Sequence, residues 1–208
     1  MAGFKGHVQS AAVIGVAGAA VGYHLGYLGG EQAVTCILLA AVGGIFPDVD
    51  SDYSHSIRVV FNVLSLAIVV GTALKAFEYL LHGVFAAAFT RYGVIWPFRR
   101  ISKHRGMWHS IPMGALCAMV VYALATYLGA PVSLWYALFF FAGFITHLVV
   151  DEIVAYRNRA ERFRWTALKL WSASNPWGYT VLYMALIALF IYNTDAERFG
   201  GTLNRYLS

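Results

Sequence analysis

Seven long apolar runs constrain the fold of this chain more than any other feature of its sequence. A helix crosses a bilayer with about 20 mostly apolar residues, and the cost of unpaired backbone amides in hydrocarbon excludes open structures. Because 60% of the 208 residues are hydrophobic and only 12% are charged, lipid must cover much of the surface. The sequence therefore predicts an all-α, polytopic membrane protein with about six to seven transmembrane or re-entrant helices. The predicted helices cover residues 8–28, 32–46, 57–74, 79–98, 110–128, 133 to about 154, and 177–193.

The run at 79–98 is the least certain to cross, because Arg91 lies near its middle and a lone cation at that depth is costly. If it crosses, the strongly basic loops share one membrane face, which the positive-inside rule makes cytoplasmic. These loops contain Lys5, Arg58, Arg99, Arg100, Lys103, Arg105, Arg157, Arg159, Arg162, Arg164 and Lys169. The net charge of +5 is then explained by the membrane topology and by attraction to anionic lipid. We do not expect nucleic acid as a partner. No repeat or linker divides residues 1–208, so we expect one integral membrane domain.

The segment 157–175 alternates basic with apolar and aromatic side chains, a pattern typical of an amphipathic helix lying in the headgroup layer. A plain basic cytoplasmic loop is the alternative. As an interfacial helix, the segment would collect anionic lipid beside the site described next.

Polar side chains at or near hydrocarbon depth must be paired, hydrated or bound to something. They form four groups, which are His7; Asp48, Asp50 and Asp52; His104, Arg105 and His109; and His147 with Asp151. On a helix His147 and Asp151 share one face, so both can reach one cation, although a hydrogen-bonded pair has the same spacing. We expect an extended loop after Pro47, in which the side chains of Asp48 and Asp50 diverge unless the loop turns. A solvated acidic loop is the alternative. The predicted topology places all four groups at one membrane face, provided that the chain between Asp52 and His104 crosses the bilayer zero or two times.

Imidazoles and carboxylates without a nearby thiolate suit Zn²⁺, with Mn²⁺, Fe²⁺ or Mg²⁺ as alternatives. The candidate ligands outnumber those of one tetrahedral site, so we expect a site for two divalent ions. The candidates are His7, Asp48, Asp50, His104, His109, His147 and Asp151.

Four motifs follow one another along the chain: Gly6-His7, Pro47-Asp48-Val49-Asp50, His104-Arg105-Gly106 with His109-Ser110, and Gly143, His147 and Asp151 at intervals of four. The ordered set resembles the YdjM-type family of membrane-bound, metal-dependent hydrolases, which is in turn similar to zinc-dependent phospholipase C and a related group of zinc nucleases. The resemblance implies a prokaryotic inner-membrane location, and the positive-inside rule places the site on its cytoplasmic face. The resemblance also implies that the metal ligands are His7, Asp48, His109, His147 and Asp151, with Asp151 as a bridge. The chain departs from the family at Ser51, where members often have a histidine, and in the apolar stretch 57–98 between the two central motifs.

The expected reaction is hydrolysis of a phosphoester of a lipid or lipid-linked substrate by metal-bound hydroxide, although ester or amide hydrolysis uses the same chemistry. In this hypothesis Asp50 orients or deprotonates the water, and Arg105 binds a phosphate oxygen or serves only as a positive-inside anchor. His104 is a ligand, a partner of a ligand, or the acid for the leaving oxygen. The alternatives are a divalent metal transporter, which needs polar residues near mid-bilayer, and a non-catalytic scaffold with a coordinatively closed metal. The sequence leaves the oligomeric state unknown.

Overall fold

The computed structural model of the chain describes residues 4–50, 62, 84, 107–159, 168–172 and 175–207. Every regular element in these ranges is a helix, which confirms the all-α prediction. The α-helices are α1 (Phe4–His24), α2 (Gly30–Ile45), α3 (Ile111–Tyr127), α4 (Ser133–Arg159) and α5 (Pro176–Leu207), and a 3-10 helix (Phe46–Asp50) follows α2.

Three stretches within the described residues are long and apolar enough to cross a bilayer, namely Gly30–Asp48, Ser133–Arg157 and Pro176–Thr194. The helix Ile111–Tyr127 is apolar but shorter. These four correspond to the second, sixth, seventh and fifth predicted helices. The predicted helices 57–74 and 79–98 lie outside the described residues apart from Asn62 and Val84, so the total number of spans stays a prediction.

Helix α1 ends at His24, four residues before the end of the apolar run. The cause is a Schellman turn, in which the Tyr27 amide donates to the carbonyl of Gly22 at 2.9 Å and Gly26 takes a left-handed φ of 77°. Gly129, with a φ of 72°, ends α3 in the same way. From hydropathy alone, the first helix was predicted to continue to residue 28. This end is wrong, because an apolar residue that follows a glycine in the left-handed conformation no longer belongs to the helix.

Small residues bring α2 and α4 into backbone contact. A Cβ atom at Gly43 would collide with the carbonyl oxygen of Phe140, and one at Gly143 with that of Ala40. On the other side of α2, Gly44 faces the carbonyl oxygen of His7 on α1. Such close approach between membrane helices is what small side chains permit, and it brings one end of α1, α2 and α4 together.

The interior between α3, α4 and α5 is filled by large apolar side chains, with Phe144, Leu148 and Tyr179 fully buried. The outer faces of the bundle are apolar as well, as at Val13 of α1 and Val181 of α5, which are about two thirds exposed. An apolar exterior around an apolar core is the arrangement expected of helices surrounded by lipid.

Candidate metal centre

Five titratable side chains meet at one end of the helix bundle, and we call them the His–Asp centre. His7 comes from the start of α1, Asp48 from the 3-10 helix after α2, and His109 from the residue before the N-cap of α3. His147 and Asp151 lie one turn apart on α4. The three imidazoles are at most 3% exposed, so the centre lies inside the protein.

The backbone after α2 turns Asp48 into the centre. The stretch from Phe46 to Asp50 forms a 3-10 helix, and Pro47 is fully buried within it. The expected extended loop after Pro47 is therefore wrong here, because the chain continues to coil beyond α2. The turn places the Asp48 carboxylate against histidines of two other elements.

The start of α3 fixes the position of His109. The Ser110 hydroxyl donates to the carbonyl of Met107 at 2.6 Å and accepts from the amide of Met113 at 3.4 Å, which makes it the N-cap. The next amide, of Ile111, donates to the carbonyl of Lys169 at 3.0 Å. His109 is thus held between a capped helix and a second segment of the chain.

The distances between imidazole Nε2 and carboxylate oxygens are those of a coordination shell. They are 3.3 Å for His7–Asp151, 3.4 Å for His109–Asp48, 3.6 Å for His147–Asp48 and 3.8 Å for His147–Asp151. Hydrogen bonds from N–H to oxygen are shorter, at about 2.7–3.2 Å. Ligand atoms at about 2.0–2.2 Å from a tetrahedral ion are separated by about 3.3–3.6 Å, which fits the three shorter distances and lies slightly below the fourth.

The tautomer of His147 leaves its other nitrogen able to bind an ion. Its Nδ1 lies 2.7 Å from the carbonyl oxygen of Gly44, and because a carbonyl only accepts, Nδ1 donates. In the neutral ring Nε2 then carries a lone pair, and it faces Oδ1 of Asp48 and Oδ2 of Asp151. These three atoms converge, and His147 Nε2 makes no hydrogen bond within the described residues. A cation placed among them would satisfy all three.

Two trios of side chains satisfy the spacing needed to hold an ion, His7 with His147 and Asp151, and Asp48 with His109 and His147. In each trio the ligand atoms lie within 4.8 Å of one another. The sequence predicted that side chains far apart along the chain lie close together in one site. The structure confirms this proximity for five of the seven metal candidates. Asp48 and His109 lie at the same end of the bundle, which is consistent with the parity argument; the crossings between them lie outside the described residues.

The remaining candidates cannot be placed. His104 and Arg105 lie outside the described residues, as does the side chain of Asp50. Their roles stay predictions, and so does the helical segment 157–175, of which 160–167 and 173–174 are outside the described part. Its described residues 168–172 are irregular and join α3 through the carbonyl of Lys169.

Sequence reasoning missed the second layer of the centre. The carbonyl of Gly44 orients His147, and its only signal in the sequence is the Gly43-Gly44 pair near the end of α2. Glu152, which follows Asp151 on α4, is also buried, with 3% of its surface exposed.

The helical bundle, its apolar exterior and the buried His–Asp centre together define an integral membrane protein with a candidate metal site. The family model described as YdjM inner membrane protein matches residues 1–199, and the chain belongs to this family. This confirms the family resemblance. Neither the search of curated proteins nor that of solved structures gave a match, so the similarity to phospholipase C stays a prediction.

Proposed function

We propose that this protein is a membrane-embedded, metal-dependent hydrolase that cleaves a phosphoester of a lipid or lipid-linked substrate. The observation that carries the proposal is the convergence of the His147 Nε2 lone pair with two carboxylates in a buried pocket. Buried acceptors facing one another are unfavourable unless a cation or a proton lies between them, and a cation would satisfy all three atoms at once.

The His–Asp centre offers three imidazoles and two carboxylates that would hold divalent ions. This donor set suits Zn²⁺, with Mn²⁺ or Mg²⁺ as alternatives, and no thiolate belongs to either described trio. A bound divalent ion would supply Lewis acidity and lower the pKa of a coordinated water toward neutrality.

The chain's own residues would orient the ligands, bind the substrate and transfer the protons. The Gly44 carbonyl fixes the ring of His147, and the packing of α2 against α4 fixes both carboxylates, so the ligands are pre-organised. We assign deprotonation of the attacking water to Asp50, binding of a phosphate oxygen to Arg105, and protonation of the leaving oxygen to His104. These three assignments rest on the sequence motifs.

A lipid substrate is favoured by the position of the centre. Asp48 is the last residue of one candidate span, and Asp151 lies six residues before the end of another. Positions near the ends of spans favour the headgroup layer over the bilayer centre. Leu170 and Trp171 are at least half exposed at the same end, and the Tyr183 hydroxyl donates to the Leu170 carbonyl at 2.9 Å. Exposed Trp is typical of the membrane–water interface. By the positive-inside rule we place this interface on the cytoplasmic side.

Divalent metal transport is the competing function. A transport path needs polar residues across the bilayer. The described interior beyond the centre is instead filled by Phe144 and Leu148, which supports an enzyme with a site at one face. Uptake of Zn²⁺ or Mn²⁺ into proteoliposomes would reverse this ranking.

The experiment is a hydrolysis assay on purified, metal-loaded protein in mixed micelles, with phosphate-bearing lipids as substrates. We expect phosphoester cleavage that a chelator stops, and a loss of more than about 100-fold in kcat/KM for His147→Ala, because a ligand matters more than its outer-shell partners. The matched control is His24→Ala, which removes an exposed histidine at the far end of α1. Failure to cleave any lipid phosphoester with any divalent ion would reject the proposed function.

A further inference from the structure

The two trios of the His–Asp centre cannot both be complete ion sites, because both contain His147. Its Nδ1 donates to the Gly44 carbonyl, so Nε2 offers the only lone pair of the ring. One lone pair binds one ion. The orientations of the three imidazole rings indicate in which trio His147 can bind an ion.

His7 and His147 are stacked, with ring centroids 3.7 Å apart and planes inclined by 15°. An imidazole lone pair lies in the plane of its ring. An ion midway between these rings would therefore sit about 1.8 Å out of each plane, nearly the full Zn–N bond length of about 2.0–2.1 Å. An ion in the plane of one ring is too far from the other. His7 and His147 consequently serve different ions.

The rings of His109 and His147 are inclined to each other and not stacked. Their centroids are 5.6 Å apart and their planes are inclined by 66°. Two imidazoles on one tetrahedral ion have non-parallel planes and centroids about 5 Å apart, given a Zn–N bond of about 2.0–2.1 Å. Both Nε2 atoms also face the same oxygen, Oδ1 of Asp48, at 3.4 and 3.6 Å. These three side chains form one set.

Asp151 connects this set to His7. Its Oδ1 lies 3.3 Å from Nε2 of His7, and its Oδ2 lies 3.8 Å from Nε2 of His147. The two oxygens of one carboxylate thus face histidines that belong to different ions. A carboxylate in this position can bridge two cations.

Resting on the proposed metal centre, we infer that the pocket holds two ions with separate ligand sets. Asp48, His109 and His147 bind the first ion, and His7 binds the second. Asp151 bridges them, with Oδ1 on the second ion and Oδ2 on the first.

The test is metal titration of the full-length protein in detergent with Mn²⁺, followed by calorimetry and electron paramagnetic resonance. Wild-type protein should bind two equivalents and give a spin-coupled spectrum. His7→Ala should weaken one equivalent by more than about 100-fold and change the other much less, because Asp151 is the only ligand that the two sets share. His109→Ala should weaken the other equivalent, and His24→Ala should change neither.

Two results would overturn the inference. One is that His7→Ala and His109→Ala remove the same single equivalent, and the other is that fully loaded wild-type protein shows only isolated Mn²⁺. The wild-type spectrum and the size-conserving Asp151→Asn, which should abolish the coupling, keep the test decisive if an alanine variant does not fold. If the protein hydrolyses the substrate with only one equivalent of metal bound, the two-ion inference is rejected and the proposed function stands. If it binds two coupled ions and hydrolyses nothing, the proposed function is rejected and the two-ion inference stands.

Discussion

Replacing Gly143 by alanine tests whether close packing of α2 against α4 builds the metal centre. The new Cβ would lie 3.0 Å from Cα of Ala40, with the Ala40 carbonyl oxygen closer still. Carbon atoms pack at about 3.5–4.0 Å, so the two helices must separate by at least about 0.5–1 Å. The colliding atoms are backbone, which no rotamer change can move aside.

Overpacking of this kind typically costs about 1–3 kcal/mol, and we expect Gly143→Ala to lie at or above the upper end of that range. Separation of the helices would also lengthen the 3.6 Å distance between His147 on α4 and Asp48 after α2. Divalent metal affinity should therefore fall together with stability.

The assay is reversible unfolding in detergent, followed by circular dichroism, with metal affinity measured on the same samples. The control is Gly30→Ala in α2, where a Cβ meets nothing within 4 Å. We expect the control to stay within about 0.5 kcal/mol of wild type. If Gly143→Ala unfolded at the same denaturant concentration as Gly30→Ala, the packing argument would be refuted.

Three further predictions concern the ends of the helices and the ion. Removing bound metal with a chelator should lower the unfolding temperature, and saturating Zn²⁺ at about 100 times Kd should restore about 2.7 kcal/mol; unchanged melting curves would exclude a native-state ion. Ser110→Ala removes the N-cap of α3 and should cost about 1 kcal/mol in the same unfolding assay, with weaker metal binding because His109 precedes it. Gly26→Ala, at a φ of 77°, should destabilise by about 1 kcal/mol without altering metal affinity, since it lies at the opposite end of α1.

The helical class and the membership of the centre could be predicted from sequence because both follow from polarity. Apolar runs indicate spans, and a histidine or aspartate near hydrocarbon depth needs a partner. The predicted topology then allowed His7, Asp48, His109 and Asp151 to share one membrane face, provided that the chain between Asp52 and His104 crosses an even number of times. Interactions local in sequence also gave usable signals, such as Pro176 at the start of α5 and Gly129 after α3.

The remaining features depend on contacts between distant segments. The Gly44 carbonyl meets His147 only because α2 and α4 touch at their backbones, and no spacing within either helix encodes that meeting. The stacking of His7 on His147 likewise depends on how α1 lies against α4. The turn after Pro47 was missed because two alternating aspartates fit an extended loop and a 3-10 helix equally well.

X-ray absorption at the zinc edge of the loaded protein tests the central claim most directly. The account predicts a first shell of nitrogen and oxygen at about 2.0–2.2 Å with outer-shell scattering from imidazole, and a weaker imidazole signal in His147→Ala. A first shell without imidazole, or a spectrum unchanged by His147→Ala, would contradict it.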